Sequence, residues 1–253
     1  SVIGSNNTVI FWIITVLFWC CNMSIDQNVS DIRTRIVEAA MRLLAAKGPS
    51  EVKARSVATE AGLSTMGVYN YFGGVPELLQ AVADEGFKKQ TAVFESVINT
   101  NDPMADLSTM ALACRDFAQR NPHLYDLMFG LSIHGRYSPT RGATTLGERA
   151  YLPAFTLSYA YLHRQCARLV DTECVRHTDP NLIAVQFWSA LHGFIMLELG
   201  GHFVSVPSPS SDILMPMCIN LVVGLGAKYE QAESSASIAM AEWTKRASIS
   251  HFL

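Results

Sequence analysis

Most of the motifs that announce an enzyme or a metal site are missing from this chain. It has no H-E-x-x-H, no G-x-G-x-x-G and no P-loop. "GLSIHG", residues 130–135, has a serine near a histidine but lacks the G-x-S-x-G elbow and any strand leading into it. The six cysteines (Cys20, Cys21, Cys114, Cys166, Cys174 and Cys218) show no CxxC or Cys/His spacing. They read as buried thiols in a reducing compartment, which excludes a disulfide frame and a zinc site. His192, Glu198 and His202 are too unevenly spaced to converge on one helical face. Charge is scarce as well, with 19 basic and 22 acidic residues giving −3. Whole-chain charge does not mark a nucleic-acid binder, but it says little when only one face binds. No run alternates like a strand, and no internal repeat is visible. The reading is therefore a non-enzymatic chain without cofactor or metal.

What is present begins with an apolar run, Val9 to Cys21, "VIFWIITVLFWCC", thirteen residues interrupted only by Thr15. A spanning helix needs about 20 apolar residues. A secretory signal would need a basic start and a small-residue cleavage site, and neither is there. Residues 1–22 are expected to lie outside the working fold as a non-native or disordered extension. A membrane anchor is the alternative.

From Met23 onward the signals are helical. Ile36, Ala40, Leu43 and Leu44 form one stripe ending at Lys47-Gly48. Val57, Ala58 and Ala61 mark a short helix ending at Gly62, and a second short one runs from about Thr65 to Phe72. Pro76 opens a long apolar segment that Asn99 to Pro103 breaks. Further helices are expected over 103–120, 122–134, 153–172, 180–200 and 213–227, with loops at 138–147 and 206–212. From about Glu230 the chain is Ser/Ala-rich and expected to fray. The fold class is all-α. A three-helix unit at 29–75 precedes a larger helical bundle at 76–230 and a tail at 231–253.

The strongest local pattern is Ala58, Gly62 and Val68, spaced A-x3-G-x5-V with Leu63 after the glycine. Ala58 is small where a second helix crosses. Gly62 supplies the positive φ of a tight turn. Leu63, Val68 and Phe72 face inward and hold the second helix steeply against the first. Ser64, Thr65, Gly67, Tyr69 and Tyr71 are left outward, on a helix able to enter a major groove.

This region resembles the tetracycline-repressor (TetR) family of bacterial regulators across about 50 residues, Arg35 to Asp84. The match is carried by Val57-Ala58, Ala61-Gly62-Leu63-Ser64, Val68-Tyr69, Tyr71-Phe72 and Leu78-Leu79. The resemblance implies a homodimer reading a palindromic double-stranded DNA operator, with Thr65, Met66, Gly67, Tyr69 and Tyr71 at bases and phosphates. Lys53 and Arg55 would add contacts. From Ser30 to Val75, six basic against four acidic residues leave +2, so this is the weakly positive end. Where the family usually carries a phosphate-holding lysine, three residues past the closing aromatic, this chain has Val75. Operator binding is therefore expected to tolerate salt.

In the larger half, Trp188, His192 and Gly193 match a Trp-x3-His-Gly signature of one TetR subgroup, and "NPHLYDLMF", 121–129, is similar to it too. The resemblance implies a bundle enclosing a cavity for a small, mainly apolar effector. The dimer interface would use the helices near 180–200 and 213–227, or those near 155–172 with the last. Phe117, Tyr125, Met128, Phe129, Tyr161, Trp188 and Met196 read as core packing or as cavity lining. His192, one turn from Trp188, reads as a satisfied core histidine or as a paired site residue. Arg115 and Asp116 read as a surface face. Together these readings describe a cytoplasmic, ligand-responsive transcriptional regulator, a repressor by family default. The alternative is a helical ligand-binding or scaffold protein with weak or lost DNA binding.

Overall fold

The computed structural model describes residues 29–97, 99–129 and 153–250, and all regular structure among them is helical. The expected extension at 1–22, the loop at 138–147 and the end of the 122–134 helix lie outside the described residues. The chain divides into two compact units within one helix, between Val82 and Ala83.

The first unit contains α1 (29–47), α2 (Ala54–Ala61), α3 (Thr65–Phe72) and the opening of α4 (Val75–Glu95). The stripe Ile36, Ala39, Ala40, Leu43 and Leu44 of α1 is buried, together with Val57, Ala58 and Ala61 of α2 and Val68 and Phe72 of α3. Gly62 ends α2 at φ 68°, ψ 39°, in the left-handed region that costs glycine little. Its amide turns back to the carbonyls of Ala58 and Thr59, and the Leu63 amide also reaches Ala58, at 2.8 Å. Ser64 caps α3 by accepting the Gly67 amide at 3.2 Å. Leu78 and Val82 are fully buried in this unit, so it extends seven residues past the expected boundary at 75.

The second unit is built around α5 (Pro103–Arg120), which is buried on almost every side. Around it pack α6 (Pro122–Phe129), α7 (Pro153–Asp171), α8 (Pro180–Leu199), α9 (Met215–Gly224) and α10 (Tyr229–Ser250). Asp102 caps α5 through the Met104 and Ala105 amides, and Asp179 caps α8 through Asn181. Buried Asp106 accepts from Arg168 of α7 at 2.6 Å and from the amide and hydroxyl of Thr100 at 2.9 and 2.8 Å. A carboxylate taken out of water needs this many partners.

Three expectations change here. The Ser/Ala-rich tail is helical from Tyr229 to Ser250. Ala232, Ser235, Ala236 and Ala239 are buried, and the Ser235 hydroxyl reaches Asp102 at 2.7 Å. Small residues at i, i+3, i+4 and i+7 let α10 lie close against α5. The helix expected at 213–227 starts instead as a wider π turn, Ser210–Leu214, and Gly226 at φ 112° lies just beyond its end. Arg115 does not face solvent. Its guanidinium grips Glu198 of α8 at 2.6 and 2.8 Å, with side-chain exposures of 18% and 9%.

A candidate DNA-binding face and a candidate effector cavity

In the first unit, α3 buries Val68 and Phe72 and exposes most of the rest. Thr65 is exposed, Met66 is 66% exposed and Tyr69 48%. Gly67 is half-buried, and the Ser64 hydroxyl is occupied by its capping bond. Tyr71 sits half-buried on the flank, where its carbonyl accepts from Arg33, whose guanidinium also lies 4.3 Å over the Phe72 ring. Asn70 shares the exposed face one turn after Met66. Sequence reasoning missed it, although its i+4 spacing from Met66 is the signal that would have found it. Lys53 and Arg55 are exposed at the start of α2, Lys53 in a loose pair with Glu51 at 3.4 Å.

Much of the unit's positive charge serves the fold. Arg35 donates to the Ala61 carbonyl at 2.7 Å, capping the end of α2, and Arg42 pairs with Glu60 at 2.9 Å. With Arg33 also engaged, three of the six basic residues hold helices together. Val75 opens α4 half-buried and neutral.

In the second unit, side chains of α4, α5, α6, α7, α8 and α9 line an apolar pocket whose empty space, with the open solvent at its mouth, is about 640 Å³. Phe87 meets Phe129 and Phe155 edge-on, with centroids 5.7 and 5.3 Å apart. Trp188 adjoins Phe155, Tyr159 and His192 at 5.9, 5.8 and 5.6 Å. Of the residues proposed from sequence, Phe129, Trp188 and His192 line this space. Tyr125 stands behind it, fully buried, with its hydroxyl bonded to His192 Nδ1. Phe117 and Met128 pack in the core, and Met196 is half-buried off the lining. Tyr161 turns away, donating to Glu95 at 2.8 Å.

The polar side chains of the lining carry no signal in the sequence. Ser158 donates to Gln90 Oε1 at 2.9 Å, and Gln90 Nε2 donates to Cys114 Sγ at 3.6 Å. Burial pushes the Cys114 thiol up to about 12, so it stays protonated. Burial also lowers His192 to about 3, so its ring is neutral at physiological pH. No three His, Cys, Asp or Glu residues cluster as metal ligands among the described residues.

The solvent-facing side of α8 carries Leu182, Val185 and Leu197, with Ser189 and Gly193 between them. By length and composition α8 is apolar enough to cross a membrane, with 28% of its most apolar window buried.

A helix-turn-helix whose second helix turns aromatic side chains outward, in an otherwise helical chain, is the architecture of a helix-turn-helix DNA-binding protein. Comparison with known proteins agrees. The family described as bacterial regulatory proteins, tetR family, matches residues 36–82, and the tetracyclin repressor-like C-terminal domain matches 107–218. An uncharacterized HTH-type transcriptional regulator of Mycobacterium tuberculosis is 25% identical over 193 residues, covering 76% of this chain and 81% of that protein. Two solved structures share the fold. A protein of unknown function from Rhodococcus sp. RHA1 has TM-score 0.62 and 22% identity, covering 77% of this chain and 95% of its own. RolR in complex with resorcinol has TM-score 0.62 and 17% identity, covering 84% and 96%. The chain belongs to the TetR family of DNA-binding transcriptional regulators, which are not enzymes.

Proposed function

We propose that the chain is a cytoplasmic, homodimeric repressor that binds a palindromic operator through α3 and is released by a small, mainly apolar effector in the second unit. The observation carrying this reading is the division of α3 into a buried pair, Val68 and Phe72, and an exposed face of Thr65, Met66, Tyr69 and Asn70. Buried anchors hold the helix rigidly while its exposed residues are free to meet base edges and phosphates. Tyr71 and the exposed Lys53 and Arg55 would add contacts at the edges.

The apolar solvent face of α8 supports a second copy as partner. Ser189 and Gly193 on that face would let two α8 helices approach closely, and Leu182, Val185 and Leu197 would leave water. An effector changes operator affinity only to the extent that it binds one conformation better than the other.

The test is a gel shift on DNA upstream of the protein's own gene, with size-exclusion chromatography run in parallel. Replacing Tyr69 and Tyr71 together by alanine should abolish specific binding while the dimer persists. A double variant that still shifts that DNA with wild-type affinity would remove α3 as the recognition helix. A wild-type chain that binds no DNA of that region would favour the ligand-binding or scaffold alternative.

A further inference from the structure

Two sets of hydrogen bonds link five helices around the cavity of the second unit. One runs from Ser158 on α7 through Gln90 on α4 to Cys114 on α5, and the other joins Tyr125 on α6 to His192 on α8. Each link has a direction. Ser158 donates to Gln90, and Gln90 donates to the Cys114 sulfur. The Tyr125 hydroxyl is bonded to His192 Nδ1. A neutral imidazole has one donor and one acceptor nitrogen. A phenol O–H is a stronger donor than a neutral imidazole N–H, and a bare imidazole nitrogen a stronger acceptor than a phenol oxygen. Tyr125 therefore donates to Nδ1. The ring proton of His192 is left on Nε2, which no described residue accepts from.

The walls limit what could accept it. Among the described residues that line the cavity none is Lys, Arg, Asp or Glu. A charge carried inside would leave water and find no counter-charge among those side chains. Phe87, Phe155 and Trp188 bound the space with ring faces and edges, which suits another flat ring.

We propose that the effector is an uncharged, flat ring compound whose neutral oxygen accepts a hydrogen bond from His192 Nε2, with Tyr125 as the positioning residue that sets the imidazole tautomer. This rests on the reading of the second unit as an effector domain. The Tyr125–His192 bond makes the site selective for acceptors, and a described lining without charge makes it selective against ions.

The test is calorimetric titration of the full chain with four probes of nearly one outline: acetophenone, α-methylstyrene, benzoate and benzamidinium. Acetophenone should bind tightest. α-Methylstyrene, which replaces the carbonyl oxygen by a methylene, should bind about two- to tenfold more weakly. Both ions should bind at least about a hundredfold more weakly. His192→Phe should bring acetophenone down to the level of α-methylstyrene, and Tyr125→Phe should narrow the gap between them without weakening α-methylstyrene. The ranking on the wild-type chain stands whether or not either variant folds.

Benzoate or benzamidinium binding as tightly as acetophenone would overturn the uncharged class. Equal affinity for acetophenone and α-methylstyrene would overturn the role of His192. Either result leaves the effector-domain reading intact, whereas no binding by any of the four at millimolar concentration overturns both.

Discussion

Replacing Val75 by lysine offers a quantitative probe of the DNA face. Val75 is the first residue of α4, half-buried, three residues beyond Phe72 and just after the turn that Gly73 makes at φ 79°. A lysine stem can lie where the valine lies and send its ammonium outward. Each phosphate neutralised on duplex DNA contributes about 0.9 to the slope of log affinity against log salt, so two copies in a dimer would add about 1.8. Between 50 and 200 mM salt, a fourfold change, that slope becomes about a twelvefold additional loss of affinity. At low salt the variant should bind more tightly than wild type. It should not be more stable, because a cation in the first turn of α4 opposes the helix dipole by about 0.5 kcal/mol. Fluorescence anisotropy with a labelled operator at four salt concentrations measures the slope directly, and Val75→Met controls for side-chain length. If Val75→Lys and wild type give parallel lines, no phosphate lies within reach of this position and the account of the weakly charged face is wrong.

Two further outcomes follow from single residues. Gly62→Ala should lower the stability of the first unit by about 1–2 kcal/mol from its left-handed backbone alone. The added Cβ would meet its nearest atom, on Arg35, at an ordinary 3.6 Å. A thermal melt unchanged by that substitution would contradict the strain. His192 makes the fold sensitive to acid. Unfolded, its ring takes up a proton as pH falls through its ordinary value near 6.5, whereas folded it resists until about 3. Acid therefore favours the unfolded chain. From pH 7 to 5, wild type should lose about 2 kcal/mol more than His192→Phe, read by denaturant melts at both values. Equal losses would mean that the folded ring is already charged at pH 5.

The first unit is largely legible in the amino-acid sequence, because its specification is local. Gly62 lies in the left-handed region, Ser64 caps the helix it precedes, and Val68 and Phe72 are buried where the spacing places them. In the second unit, Asp102-Pro103 and Asp179-Pro180 mark helix starts for the same reason. The cavity is legible only in part. Trp188 and His192 can be found because they share a helix face, but Gln90, Cys114 and Ser158 come from three helices separated by intervals that no periodicity connects. Arg115 reads as a surface residue in sequence because its partner, Glu198, lies 83 positions away. The tail reads as frayed because alanine and serine give a weak apolar signal, although their small size is what allows α10 to pack against α5.

Capping chemistry, glycine turns and the 3.6-residue period act over a few residues, and they were enough to determine an all-α chain with a helix-turn-helix and its inward and outward residues. Which side chains meet across helices depends on packing between distant segments. Only the tertiary structure decided that Tyr125 reaches His192, that Arg115 holds Glu198 and that the described lining of the cavity is rich in rings and carries no Lys, Arg, Asp or Glu. Burial then sets the chemistry of those groups, since desolvation keeps the His192 ring neutral and the Cys114 thiol protonated whatever their neighbours in sequence.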